Sequence, residues 1–188
     1  MVVRIAVIDT ETGGLSPRRD ALLEIGCICA DINWEGDIVE LDNYKVLINP
    51  GTRLMVGSEA LKVNHLNWQM LLDEGVSEQV AIDGLDKFLS RFSYQGQWPV
   101  LVGWNIHFDL AFLKWAFRRS ERLWSGKDYK ALDIKSLWCY YNLVNKGVSN
   151  YGGITHAYRE LSGGEIPHRA VDDARATLEM FRLFTAGV

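Results

Sequence analysis

The feature that most constrains this chain is a short apolar run that stops at two acids. Residues 2–8 carry one polar side chain, Arg4, and are followed at once by Asp9, Thr10 and Glu11. An apolar run of this length, bounded by polar residues, reads as a strand buried on both faces. Such a strand needs helices above and below it. In extended backbone, residues i and i+2 point to the same side. Asp9 and Glu11 therefore share one side at the strand mouth, where two carboxylates raise each other's pKa. A divalent cation removes that conflict, and carboxylate oxygens suit Mg²⁺ or Mn²⁺. Taken alone, Asp-x-Glu reads more simply as a solvated strand end.

The rest of the chain fits the same plan. Residues 12–20 form a Gly-Gly loop with Ser16-Pro17 as turn chemistry. Residues 21–32 and 38–48 read as two strands joined by a hairpin-length connector at 33–37. A short helix is expected at 58–61, and Ser77 caps a helix carrying Val80, Ala81, Leu85, Phe88 and Leu89. Residues 100–103 read as a short strand and 106–117 as a buried helix. A last short strand at 130–133 precedes helices at 134–145, 155–161 and 170–185. Strands first, then strands alternating with helices, predict a mixed sheet flanked by helices. No linker or repeat divides residues 1–188, so a single domain is expected.

Two further clusters place acids where apolar sequence would otherwise continue. Asn105 and Asp109 lie at i and i+4, on one face of a helix start. An N-cap and a first-turn acid account for them. However, Asp109 sits among Phe108, Leu110, Ala111, Phe112 and Leu113, where a charge needs a partner or a cation. The segment 168–174 offers two aspartates. At about 100° per residue, Asp173 falls about 70° from the centre of the apolar arc of the last helix and Asp172 about 170°. Asp173 thus borders the buried face. His168, at or before the helix start, would suit a general base beside a metal, although an exposed polar residue explains it alone. Asp133 reads best as a helix N-cap, with Ser136 three residues on.

Composition excludes several classes. No stretch is long and apolar enough for a transmembrane helix, and the N-terminus lacks the basic region and cleavage site of a signal peptide. A cytoplasmic protein without membrane contact is therefore expected. Cys27, Cys29 and Cys139 show no CxxC spacing and read as small hydrophobes in a reducing compartment. The 20 Lys+Arg against 24 Asp+Glu give a net charge of −4, which argues against coating long duplex with basic surface. The stretch 114–130 is locally basic; a solvated helix face is its plainer reading, and a phosphate track is the alternative.

Together the segments Val7-Ile8-Asp9-Thr10-Glu11-Thr12-Gly13-Gly14-Leu15, Asn105-Ile106-His107-Phe108-Asp109 and His168-Arg169-Ala170-Val171-Asp172-Asp173-Ala174 resemble the three motifs of the DEDDh 3′–5′ exonucleases. That family includes the proofreading epsilon subunit of DNA polymerase III, RNase T and oligoribonuclease. The resemblance spans residues 2 to about 185. It implies an RNase H-like α/β fold: a five-stranded mixed sheet, one strand antiparallel, with helices on both faces. It implies that Asp9, Glu11, Asp109 and Asp173 hold two divalent cations, Mg²⁺ or Mn²⁺, and that His168 is the base. Asp9 would bridge the ions, Glu11 and Asp173 would hold the ion carrying the attacking water, and Asp109 would support the other. Two such ions would cancel the net charge of −4.

The resemblance also implies substrate contacts. Thr10, Gly13 and Leu15 match the loop that holds the terminal nucleotide, with the glycines admitting backbone close to the sugar. Asn105 and Phe108 match residues beside that nucleotide. His65 resembles a base-contacting histidine, although Leu66 and Asn67 depart from the usual pattern, and a helix-surface histidine explains it equally well. Trp104 stands where the family often has histidine. The implied function is removal of mononucleotides from the 3′ end of single-stranded DNA, in proofreading or repair. RNA-end trimming is the alternative, and a non-catalytic nucleic-acid-binding module is disfavoured by the full set of five residues. A DNA polymerase partner, a homodimer and a free-standing enzyme all remain open.

Overall fold

A computed structural model describes residues 2–33, 35–95, 98–124, 130–147, 152–166 and 168–185. The elements run β1 (Val2–Thr12), β2 (Leu22–Asn33), β3 (Ile38–Leu47), α1 (Ser58–Val63), α2 (Trp68–Asp73), α3 (Glu78–Arg91), β4 (Val100–Gly103), α4 (Ile106–Arg119), β5 (Leu132–Asp133), α5 (Ile134–Lys146), α6 (Ile154–Ser162) and α7 (Ala170–Thr185). Trp34 and Pro167, together with Lys127 and Asp128 of the basic stretch, lie outside the described residues.

The five strands form one sheet in the order β3-β2-β1-β4-β5. β2 runs antiparallel to both neighbours, while β1, β4 and β5 run parallel to one another. The expected mixed sheet, with one strand reversed, is what the chain forms. β1 is longer than its apolar run. It continues in register with β2 through Glu11 and, after a register shift, pairs on to Thr12, so Asp9 and Glu11 project from the strand itself rather than from the loop after it. β3 alternates exposed and half-buried residues, as an edge strand with one packed face should.

The pleat of β1 decides what each residue meets. Ala6 and Ile8 face a core shared with Ala81 and Leu85 of α3 and Phe112 and Phe117 of α4. Ile5 and Val7 face the other core, with Trp138 of α5, Ala157 of α6 and Leu178 of α7. The two rows continue past the apolar run. Thr10 extends the row facing α4, and Asp9 and Glu11 extend the row facing α7. A third, smaller cluster packs Leu23 against Leu66 and Leu71, beneath α1 and α2. The helix α2 was not expected; it starts at Asn67, whose side chain accepts from the Met70 amide.

Caps explain the other boundaries. Ser77 caps α3 by accepting from the Val80 amide. Asp133 caps α5 through the Lys135 amide at 3.0 Å, as its position before an apolar run suggested. Left-handed glycines, Gly147 and Gly163, end α5 and α6. Cys27 and Cys29 are buried and Cys139 is half-buried, all as free thiols.

Candidate active site

Three carboxylates meet where β1 passes under the start of α7. Asp9, Glu11 and Asp173 each offer an oxygen within 4.8 Å of the other two. Helix geometry explains why Asp173 and not Asp172 joins them: Asp173 is 6% exposed, whereas Asp172 is only half-buried. Gly26, the β2 residue opposite Asp9, makes the approach of α7 possible. A Cβ there would collide with the backbone of Ala170 and Val171.

The fourth acid arrives from the other face. Asp109, in the first turn of α4, is 3% exposed. Its Oδ1 accepts from the Thr10 amide at 2.9 Å and the Thr10 hydroxyl at 2.7 Å. The alternation of β1 thus sends Asp9 and Glu11 towards α7 and uses Thr10 to hold the acid of α4. Asp109 meets the cluster through this side rather than as one of the three clustered oxygens.

The acids strain against their setting. Burial is the largest cause for each, since it disfavours the charged form. Asp9 is raised well above the usual carboxylate range, by burial and then by Asp109 and Asp173. Glu11 is pushed up to about 8 by burial and then by Asp173 and Glu24. Asp173 reaches about 7 through burial and Asp172. Asp109 also reaches about 7, burial outweighing the hydrogen bonds from Thr10 that hold it down. In addition, Asp173 Oδ1 is buried with no hydrogen-bond partner among the described residues. An orphaned buried oxygen and mutually raised acids fit a cation-binding centre.

His168 reaches the same place, its Nδ1 3.9 Å from Asp173 Oδ2. It adopts a left-handed backbone conformation, φ 54°. The turn that carries it is fastened by its neighbour. Arg169 donates twice to Glu24, at 2.8 and 3.0 Å, and the Ala170 amide donates to the same carboxylate. Glu24 is wholly buried on β2, opposite Glu11.

A cleft of about 340 Å³ joins these groups. Its walls include Asp9, Thr10, Glu11, Asn105, Phe108, Asp109, His168 and Asp173, with Trp104, Asn64 and Lys135. The expected contacts Thr10, Asn105 and Phe108 therefore line it. Asn105 stands at the N-cap of α4 in a left-handed conformation without a side-chain cap bond; its amide donates to Asp133 at 2.8 Å. The His65 ring lies 5.8 Å from the His168 ring, beside the cleft rather than on its wall. Leu15 is 84% exposed at the tip of the loop after β1.

The two loop glycines answer to the protein's own packing. A Cβ on Gly13 would lie 2.6 Å from the Met55 carbonyl oxygen, and one on Gly14 would strike the Asp20 carboxylate. At both positions the direction a Cβ would take is filled by the chain itself, so packing alone requires glycine there. Asp20, buried beneath the loop, also accepts from the Ser16 amide at 2.9 Å.

Sequence reasoning missed Glu24, Asp20, Asn64 and Lys135. Glu24 left a signal: it is the only acid inside the run 21–30, and a lone carboxylate there needs a partner. Nothing local pointed to Asn64, whose side chain donates to the Thr12 carbonyl at 2.9 Å.

A mixed sheet here gathers four acids and a histidine around one cleft, a donor set suited to divalent cations. The exonuclease family model of the RNase T type matches residues 6–181, and the chain belongs to that family. Ribonuclease T of Haemophilus ducreyi is 34% identical over 115 residues, covering 60% of this chain and 54% of that protein. The PolC-type DNA polymerase III of Thermotoga petrophila is 29% identical over 183 residues, covering 95% of this chain and 12% of the polymerase. The chain thus spans about half the length of its ribonuclease T relatives and a small part of the polymerase. Escherichia coli exonuclease I in complex with a 5cy-dT13 oligonucleotide superposes with a TM-score of 0.78 at 16% identity, covering 98% of this chain and 41% of that one. Exonuclease I from Methylocaldum szegediense gives 0.76 at 22% identity, with 98% and 41% covered. These likenesses establish the RNase H-like fold. Among the described residues, no helix is long and apolar enough to cross a membrane.

Proposed function

We propose that this domain is a 3′–5′ exonuclease that removes nucleoside monophosphates from the 3′ end of single-stranded DNA. The observation that carries this reading is the convergence of Asp9, Glu11 and Asp173 within 4.8 Å, with His168 beside them and Asp109 held by Thr10. Asp9, Glu11, Asp173 and Asp109 would hold two divalent cations, Mg²⁺ or Mn²⁺. When bound, the cations supply an activated water and neutralise charge on the phosphoryl oxygens. His168, with Nδ1 3.9 Å from Asp173 Oδ2, would serve as the base that takes up a proton beside the cations. Phe108 and Trp104 offer aromatic surface to the terminal bases, a contact that tolerates any sequence.

The 34% identity to ribonuclease T favours a second reading, trimming of RNA ends. The likeness to a PolC-type polymerase over 95% of this chain supports a place for the DNA reading in proofreading. Digestion of end-labelled single-stranded DNA and RNA, with Mg²⁺, Mn²⁺ or EDTA, separates the DNA and RNA readings. Mononucleotides released from the 3′ end of DNA support the first reading. Preference for RNA transfers it to the second. Internal cuts, or full activity in Asp9→Ala or His168→Ala, overturn it.

A further inference from the structure

The loop after β1 and the outer face of α4 build a basic aromatic surface that the cleft does not use. Arg18 lies with its guanidinium carbon 5.3 Å from the Trp115 ring centre, and Arg118 with its own at 5.1 Å. Both arginines are exposed, and neither forms an ion pair with a carboxylate among the described residues. Each therefore keeps its charge available in a chain whose net charge is −4. By contrast, the adjacent Arg119 is committed. It pairs with Glu78 through two nitrogens and donates to the Pro17 carbonyl at 3.0 Å. That bond pins the residue before Arg18 onto α4. The loop is also held at its root, where the Gly13 amide donates to Ala21 and the Ser16 amide to Asp20. The surface is thus pre-organised.

Its position relative to the cleft is set by the helix. Phe108 lines the cleft, and Trp115 follows seven residues later, on the same side of α4. The rise between them is about 10 Å, or about three nucleotide steps at the rise of a stacked strand. Arg118 lies one turn beyond. A strand whose last nucleotide enters the cleft and whose body follows α4 would meet two exposed guanidinia packed over the Trp115 ring and paired with no carboxylate among the described residues. These are the elements of a single-strand platform: guanidinium planes, held by the Trp115 ring, on which a base stacks, and cations for the backbone.

We infer that Arg18, Trp115 and Arg118 form an upstream subsite for single-stranded nucleic acid, holding the third and fourth nucleotides from the 3′ end. The inference rests on the nuclease reading for its direction along the strand. Its contacts are to bases and phosphates, so it serves DNA and RNA alike.

The test separates the subsite from the chemistry. Binding of fluorescent dT2, dT4 and dT8, and of the matching uridine oligomers, is measured by anisotropy in Ca²⁺ across a range of salt. Cleavage of the same oligomers is followed in Mg²⁺ and Mn²⁺. Wild type should gain affinity from two to four nucleotides and more slowly beyond. Arg18→Ala with Arg118→Ala should flatten the salt dependence by about 1.4 in log–log slope, the loss of two phosphate contacts on a single strand. Trp115→Leu should weaken dT8 by about fivefold or more while keeping the salt slope. Arg18→Lys with Arg118→Lys should restore most of the slope. If the length-dependent gain and the slope persist in the double alanine variant, or if wild type binds dT8 no better than dT2, the subsite is wrong. If wild type binds as expected but cleaves no oligomer, the nuclease reading fails and the surface stands as a single-strand binding site without its 3′ numbering.

Discussion

Arg169 and Glu24 form a two-point ion pair, at 2.8 and 3.0 Å, that joins the second strand to the turn carrying His168. The two residues are 145 positions apart in the chain. Glu24 is wholly buried, while the Arg169 side chain is 22% exposed. Removing Arg169 leaves the carboxylate enclosed and short of its main partner. Arg169→Ala should therefore destabilise the domain by about 3 kcal/mol, a fall in Tm of about 10 °C for a domain of this size. Glu24→Gln should lose less, because the guanidinium it frees can reach solvent. Thermal unfolding of the two variants checks the ordering, and equal losses would contradict it.

Thr10 predicts a subtler effect. Its hydroxyl and amide both donate to Asp109 Oδ1. Thr10→Val keeps the shape and the amide bond but removes the hydroxyl. Partners that orient a metal ligand are worth about 10–100-fold in metal affinity or activity. The substitution should weaken Mn²⁺ binding or kcat by at least the lower figure, with little change in Tm. Isothermal titration with Mn²⁺ and a melting curve decide it. Unchanged affinity and kcat would show that the amide alone suffices.

Much of this was legible in the sequence, because the signals were local. The apolar run before Asp9 marked the central strand, and helical angles chose Asp173 over Asp172. Asp133 stood where a cap belongs, and its carboxylate accepts from both Lys135 and Asn105 amides. What stayed hidden depends on pairings far apart in the chain. The length of β1 was misjudged because ladder bonds to β2, not hydrophobicity, carry it through Glu11 and Thr12. The packing of Met55 against the loop glycine Gly13 is another such pairing, with no local signal. The short helix Trp68–Asp73 lacks the length for a periodic signal.

Gly26 should tolerate no side chain. It faces the start of α7, and even one methyl group would press on the backbone of Ala170 and Val171. Backbone cannot rotate aside as a side chain can, so α7 must shift as a unit. Gly26→Ala should cost about 1–3 kcal/mol, the range for overpacking. It should also reduce activity beyond that loss, since Asp173 and His168 move with the helix. Chemical denaturation and single-turnover cleavage at a temperature where the variant is folded test both parts. Wild-type stability would show that the contact is softer than its geometry.

The raised acids give a pH signature with a definite sign. Glu11 titrates at about 8 and Asp109 and Asp173 at about 7 in the folded chain, against about 4 when unfolded. Between these values the native protein binds more protons than the unfolded one, so stability falls as pH rises. The stabilising effect of the protonated acids is complete below about pH 4 and is lost by about pH 8. In EDTA, Tm should decline from pH 5 to pH 8. Divalent cations compete with those protons, so Mn²⁺ should raise Tm far more at pH 8 than at pH 6. At a concentration one hundred times its Kd, the ion adds about 2.7 kcal/mol. Glu11→Gln removes the acid that holds its proton to the highest of the three values, and it should flatten the decline in EDTA. If the wild-type Tm in EDTA rises across this window, or if Mn²⁺ stabilises equally at both pH values, the four carboxylates do not form the strained, cation-seeking centre that their geometry describes.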